Sequence, residues 1–328
     1  MDLKKAVPYR LTGSAENAYH LWFQTRLRKH MGVVAAKWEE DLSVYGDHLE
    51  KQKELYFTIQ LLYVHTFGKT ADLQNPTSYN EKIQWLKLFN QHRSMIDLCD
   101  KLKVRNVVAE KVGKEILTKI YQVTDNVEHI DVSALPASFV VKTNHDSGGV
   151  FPVEDKSRLK VWLLKNVIHA SFSRTYGEKK GEWPYKHITR KVFAEEYLDS
   201  GNGSFPSDYK FHCVDGKVKW LQYIYNRGRN TKEFAYGRDF QKLDLHLDHE
   251  FSLHDPNLER PQNWDVLVNI AETISEGMKY VRVDLYNIRG KIFFGELTFF
   301  PKAGMYPGKD QEQFGAYLNF DRSHVRPL

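Results

Sequence analysis

Up to about Ala71 the apolar positions show little two-residue alternation, and that stretch reads as helical. Between Asn17 and Trp38, Leu21, Trp22 and Met31 are interspersed with Arg26, Arg28, Lys29 and His30. The preferred reading is a packed accessory helix with a solvated basic face, because charged helix faces are common; the alternative is a basic helix that touches a membrane or a partner. Asn75-Pro76 punctuates the chain, and Ser78 with Glu81 forms a capping box ahead of Ile83, Leu86 and Phe89. A further helical run from about Met95 ends at Gly113, a C′ glycine. Phe139 to Thr143 is a short β-rich run, Ser157 to about Phe172 a helix, and Lys191 to Leu198 a strand. Asp208 opens a hairpin with its turn at Asp215-Gly216. The stretch from Val281 to Phe299 reads as a second hairpin, in which Val281, Val283 and Leu285 alternate with Arg282, Asp284 and Tyr286. A turn at Ile288-Arg289-Gly290 that pairs Asn287 with Lys291 puts the even-numbered residues of both arms on one face.

Composition narrows the class. With 41% apolar and 27% charged residues over 328 positions, the chain can build a sizeable core and two or three structural units. Its 47 basic and 42 acidic residues give a formal charge of +5, too mild to imply nucleic acid but compatible with phosphate-bearing or acidic substrates. Cys99 and Cys213 alone make neither a disulfide framework nor a zinc site, so a reducing compartment fits. With no secretory signal or membrane-length apolar run, a cytoplasmic protein is expected.

Candidate chemistry gathers at two places. On the shared face of the late hairpin, Arg282, Asp284, Glu296 and Thr298 become direct or diagonal neighbours. Two carboxylates and a hydroxyl are hard oxygen ligands suited to Mg²⁺, with Arg282 a fixed positive donor beside them. An ordinary wet hairpin face is the bland alternative. Earlier, Lys142 ends the 139–143 strand, which opens into Asn144-His145-Asp146-Ser147-Gly148-Gly149. Such a loop can wrap its N–H groups around phosphate, though two glycines also suit a plain turn. His145, His187 and His324 have no partner visible in the sequence.

Taken in order, NPTSYNEKIQWLKLF, CDKLKVR, FVVKTNHDSGG, FAEEYL, DYKFHCVDGKVK and VRVDLYNIRGKIFFGELTFFP resemble the TupA-like ATP-grasp family, linked to bacterial teichuronopeptide and other surface-polysaccharide synthesis. The resemblance runs from about Asn75 to the end. It implies an α+β ATP-grasp fold with a mainly helical N-terminal extension: an extension over 1–74, a pre-grasp region over 75–135, a first lobe with the phosphate loop over 136–198, and a second lobe with the metal site over 199–328. ATP would lie between the lobes, its adenine on the backbone of Glu196, Tyr197 and Leu198. Lys142 and Lys101 would hold the phosphates nearest the ribose, Lys210 the terminal ones, and Asp208 or Glu195 the ribose. His145, Ser147, Gly148 and Gly149 would belong to a loop closing over the phosphates.

The resemblance further implies that Asp284, Glu296 and Thr298 hold Mg²⁺, with Arg282 and Lys210 catalytic. Where the superfamily usually reads E-x-N, this chain reads Glu296-Leu297-Thr298, which leaves one or two Mg²⁺ ions open. The implied reaction activates a carboxylate as an acyl phosphate that an amine attacks, here joining an amino acid or other amine to a uronic-acid carboxyl, with contact at the inner face of the membrane left open. A kinase or glycosyltransferase-like enzyme and a non-catalytic nucleotide-binding protein are the alternatives.

Overall fold

Trp38 is buried in the computed structural model, which describes residues 27–201, 205–226, 231–248 and 258–323. The chain divides into two compact units, Met1–Gln74 and Asn75–Leu328. In the first, helix α1 (Met31–Glu50) lies against helix α2 (Lys53–Phe67). Trp38 meets Tyr56 edge-on at 5.0 Å, and the Tyr56 hydroxyl donates to the buried Asp41 at 2.9 Å. The basic stretch is therefore a packed helix where it is described; residues 17–26 of it, like His324, lie outside the described residues. No helix among the described residues is long and apolar enough to cross a membrane.

The second unit opens with α3 (Tyr79–Phe89), whose N-terminus carries the full Ser78/Glu81 capping box. The run expected from Met95 to Gly113 is two helices, α4 (Ser94–Cys99) and α5 (Val104–Val112). Asp100 breaks it, because its Oδ1 accepts the Leu102 N–H at 2.9 Å and competes with helical bonding. Strands β1 (Ile120–Thr124), β2 (Phe139–Thr143) and β3 (Val150–Val153) precede α6 (Val161–Phe172). That helix starts four residues later than Ser157, since Asp155 first caps a 3-10 turn over Lys156–Arg158. With β4 (Val192–Glu196) the strands form a sheet in the order β1-β4-β2-β3. Phe139, Val141, Val192 and Ala194 pack with Leu164 and Ile168 of α6. Strand alternation then turns Val140, Lys142, Phe193 and Glu195 to the other face.

A second sheet follows, built from β5 (Asp208–Val214), β6 (Lys217–Tyr225), β7 (Lys232–Gly237), β8 (Lys242–Leu243), β9 (Tyr280–Ile288) and β10 (Lys291–Thr298) in the order β10-β9-β5-β6-β7-β8. Helix α7 (Trp264–Ser275) covers one face, with Trp264 against Phe211 at 5.6 Å and Leu267, Ala271 and Ile274 buried. The opposite face carries the even-numbered residues of β5 and β9. Asp215 and Gly216 take φ of 47° and 72° and close β5 onto β6 as a two-residue turn.

The late hairpin departs from expectation in register. Arg289 and Gly290, at φ 52° and 84°, make a two-residue turn that pairs Ile288 with Lys291, not Asn287 with Lys291. That one-residue shift would send the acids of the two arms to opposite faces. A β-bulge at Gly295 restores the phase: Phe294 still opposes Leu285, but Glu296 opposes Asp284 and Thr298 opposes Arg282. A Cβ at Gly295 would lie 3.0 Å from the Asp284 carbonyl oxygen and 3.2 Å from the Tyr286 ring, a close fit that favours glycine at the bulge.

Candidate active site

Register across the second sheet sets up the chemistry. Glu296, Asp284, Lys210 and Gln222 stand opposite one another in turn on β10, β9, β5 and β6, forming one row across four neighbouring strands. Thr298, Arg282 and His212 form the next row, and Tyr286 and Asp208 lie on the other side. The first row, with Arg282, Tyr286 and Asp208, faces a cavity of about 720 Å³ whose other wall is the first sheet, through Val140, Lys142, Phe193 and Glu195.

Within the row the charges compensate one another. Arg282 grips Asp284 with two bonds, Nε to Oδ1 at 2.6 Å and Nη2 to Oδ2 at 2.7 Å, and Lys210 also donates to Oδ2. Burial would raise the Asp284 carboxyl, but Arg282 and Lys210 hold it below the usual carboxylate range. Glu296 is held more loosely, with Arg282 Nη2 at 3.5 Å, the Thr298 hydroxyl at 3.2 Å and about a third of its side chain exposed. Thr298 does not line the cavity; its hydroxyl accepts from Arg282 at 3.1 Å. The donor set fits a Mg²⁺ ion. The two carboxylates lie directly opposite each other; Asp284 Oδ1 accepts one bond and keeps a lone pair, while Oδ2 already accepts two, and the remaining positions of the ion suit water and phosphate oxygens.

The first sheet offers a phosphate-sized patch of positive charge. Lys142 pairs with Glu195, whose other oxygen accepts from Thr118 at 2.7 Å, and Arg105 approaches Glu195 at 4.0 Å. Burial raises the Glu195 carboxyl, and Lys142 and Arg105 more than reverse this. Arg105 also lines the cavity. The motif CDKLKVR contains it, but only the fold, which seats its guanidinium on Thr118 and within 4.0 Å of Glu195, brings it to the cleft.

The 144–149 loop is not one mobile flap. Asn144 accepts the Lys191 N–H at 2.7 Å and donates to the Thr189 carbonyl at 3.0 Å, and Asp146 is buried among Thr143, Ser171 and Arg174. Lys101 donates to the Asp146 carbonyl while lining the cavity. His145 is buried beside Phe172 at 6.1 Å, burial lowers its pKa, and it is set back from the cleft. Gly149 is equally enclosed, since a Cβ there would collide with Thr143, Asp146 and Ser171. Ser147 and Gly148 are the exposed tip that reaches the cavity.

At the far wall Glu196, Tyr197 and Leu198 line the space with Val140, Pro152, Phe193 and Ile224. The Glu196 N–H is donated to the Lys119 carbonyl at 2.8 Å. A base seated there would therefore be read by Tyr197 and Leu198 and not by that donor.

A family model described as TupA-like ATPgrasp matches residues 81–319. No match to the chain is found among curated proteins. Among solved structures the chain is similar to D-alanine–D-alanine ligase from Bacillus anthracis complexed with ATP, at 16% identity and a TM-score of 0.38, covering 67% of this chain and 61% of that one. The ATP-grasp ligase PsnB complexed with minimal precursor, Mg and ADP is 11% identical, with a TM-score of 0.39 and coverage of 89% and 73%. The L-amino acid ligase from Bacillus licheniformis is 14% identical, with a TM-score of 0.41 and coverage of 69% and 49%. The chain thus spans less than two thirds of the length of the D-alanine and L-amino acid ligases.

Proposed function

The chain belongs to the TupA-like ATP-grasp family, and on that premise we propose that it is an ATP-dependent ligase that joins a carboxylate to an amine. The observation that carries this is the row Glu296, Asp284, Lys210, Gln222 facing Lys142 across one cleft. ATP would lie with its base between Val140, Phe193 and Ile224, its inner phosphates at Lys142, Lys101 and Arg105, and its terminal phosphate at Lys210. Asp284 and Glu296 would hold Mg²⁺, which when bound neutralises charge on the transferred phosphoryl group. Ser147 and Gly148 would supply N–H groups over the phosphates.

Two steps follow. A bare carboxylate is a poor electrophile, so its oxygen first takes the γ-phosphoryl group to give an acyl phosphate and ADP. A neutral amine then attacks the carbonyl carbon, the carbon–oxygen bond to phosphate breaks, the proton lost by the nitrogen leaves with the phosphate, and Arg282 stabilises the negative charge that collects on the carbonyl oxygen. Arg282 is pre-organised for this by its bonds to Asp284 and Thr298. On the family's association with surface polysaccharides, we assign the acid to a uronic-acid carboxyl of such a polymer or its precursor, acted on at the cytoplasmic side where ATP is supplied.

The test is ADP release across a panel of amines and uronic acids. ADP that requires both an acid and an amine supports the ligase; ADP with an acceptor hydroxyl and no amine replaces it with a kinase. Lys142→Ala is expected to weaken ATP binding about tenfold through loss of a charge-assisted contact. Calorimetry showing unchanged affinity would remove Lys142 from the nucleotide site.

A further inference from the structure

Residues 173–191, between α6 and β4, do not line the cavity, yet they touch the phosphate loop at three successive residues. Arg174 donates through Nη2 to Asp146 Oδ2 at 2.7 Å and to the Ser147 carbonyl at 3.3 Å. The His145 ring lies by the Arg174 backbone. Tyr176 completes the contact: its hydroxyl faces the Ser147 side chain, and the centre of its ring lies 5.9 Å from the Arg174 guanidinium carbon. Burial, with Glu182 and Glu296 nearby, pushes that hydroxyl up, so it keeps its hydrogen and can donate it.

The segment is itself fixed from behind. The Gly177 carbonyl accepts the Glu182 N–H at 2.8 Å, and a Cβ at Gly177, whose φ is 86°, would lie 2.6 Å from the Glu182 carbonyl oxygen. Tyr176 is therefore followed by a tightly closed turn. Tyr185 meets Tyr176 edge-on at 5.0 Å. It belongs to a 3-10 turn over Trp183–His187 that packs on α4, and α4 packs in turn on β10, the strand of Glu296. A continuous path of packed elements thus runs from the loop to the wall of the metal acids.

We propose that Arg174 and Tyr176 are positioning residues for the nucleotide: they set the Ser147–Gly148 tip over the cleft before ATP arrives and key it to the wall that carries Glu296. The assignment rests on the ATP reading above. Ser147 and Gly148 are exposed, with Gly148 at φ 90°. A free glycine tip would lose much conformational entropy when phosphate fixes it, and a tip held beforehand loses less. Asp146 is the anchor, since its carboxylate also accepts from Thr143 on β2 and Ser171 on α6. Arg174 joins anchor and tip through one nitrogen. Because neither Arg174 nor Tyr176 reaches the cavity, both act through Ser147.

Calorimetry on the full chain with Mg²⁺ and a non-hydrolysable ATP analogue tests this in Arg174→Gln and Tyr176→Phe. The first keeps a donor but loses the charge and reach that span Asp146 and Ser147; the second keeps the ring and loses only the hydroxyl. Analogue affinity should fall about tenfold in Arg174→Gln and about fivefold in Tyr176→Phe. Adenosine, measured by displacement of a fluorescent ATP analogue, has no phosphate to reach the tip and should stay within about twofold. A merely structural role would weaken both ligands together. Ser147→Ala combined with Tyr176→Phe should lose no more than the worse of the two alone, because the pair shares one contact. Unchanged analogue affinity, adenosine weakened as much as the analogue, or fully additive losses would overturn this assignment alone. Failure of the wild type to bind the analogue would remove the ATP reading with it.

Discussion

Glu296→Gln should lower Mg²⁺-dependent ADP release at least about 100-fold, because it removes one of two carboxylates that face each other across the bulged hairpin. Its stability should stay within about 0.5 kcal/mol of wild type. The side chain is about a third exposed and its contacts, at 3.2 and 3.5 Å, are loose. Asp284→Asn should lose activity to a similar extent but with a different stability signature. Its carboxylate is the counter-charge for buried Arg282 and Lys210, so the variant should also lose about 3 kcal/mol. Magnesium titrations of ADP release together with urea melts distinguish the two. Wild-type turnover by folded Glu296→Gln would mean that the hairpin does not hold the metal.

Lys87→Met should be the most destabilising single change outside the charged row, costing at least about 3 kcal/mol in urea unfolding. Lys87 is fully buried on α3 and donates to Gln84 at 2.9 Å, to the Lys180 carbonyl at 2.7 Å and to the Ala303 carbonyl at 2.8 Å. Methionine fills the volume but leaves the Gln84 amide oxygen and the Lys180 carbonyl without this donor, while the Ala303 carbonyl keeps its bond from Gln84 at 3.1 Å. It also removes the partner of buried Glu182; burial pushes the Lys87 ammonium down to about 7 and the Glu182 carboxyl up to about 7. Since Ala303 follows Lys302, which lines the cleft, that part of the cleft wall should be disturbed first. A loss below about 1 kcal/mol would show that water or a neighbour replaces the ammonium.

What the sequence makes legible here is local. Ser78 with Glu81, the Asp215-Gly216 turn and the alternation through Phe139 to Thr143 each state their geometry within a few residues, and the structure has them as read. The face shared by Asp284 and Glu296 was reached through the wrong turn. The two-residue Arg289-Gly290 turn shifts the register and Gly295 shifts it back, and a bulging glycine leaves no side chain to break the apolar pattern. Arg105 and Lys302 are not legible as cleft residues, because the carboxylates that pair with them, Glu195 and Asp248, lie far away along the chain. His145 looked like part of an open phosphate loop, yet the hydrogen bonds of Asn144 and Asp146 on either side draw it inside.

Acyl phosphate formation is the step that separates activation of a carboxylate from phosphorylation of a sugar hydroxyl, and hydroxylamine intercepts it directly. Wild-type protein would be incubated with Mg²⁺-ATP, a panel of uronic acids and hydroxylamine, and the products assayed for hydroxamate and ADP. The account predicts hydroxamate in step with ADP, dependent on both ATP and the acid. In Arg282→Ala some phosphorylation should persist, while amide formation slows further. ADP without hydroxamate in the wild type, accompanied by a stable phosphorylated sugar, would contradict it.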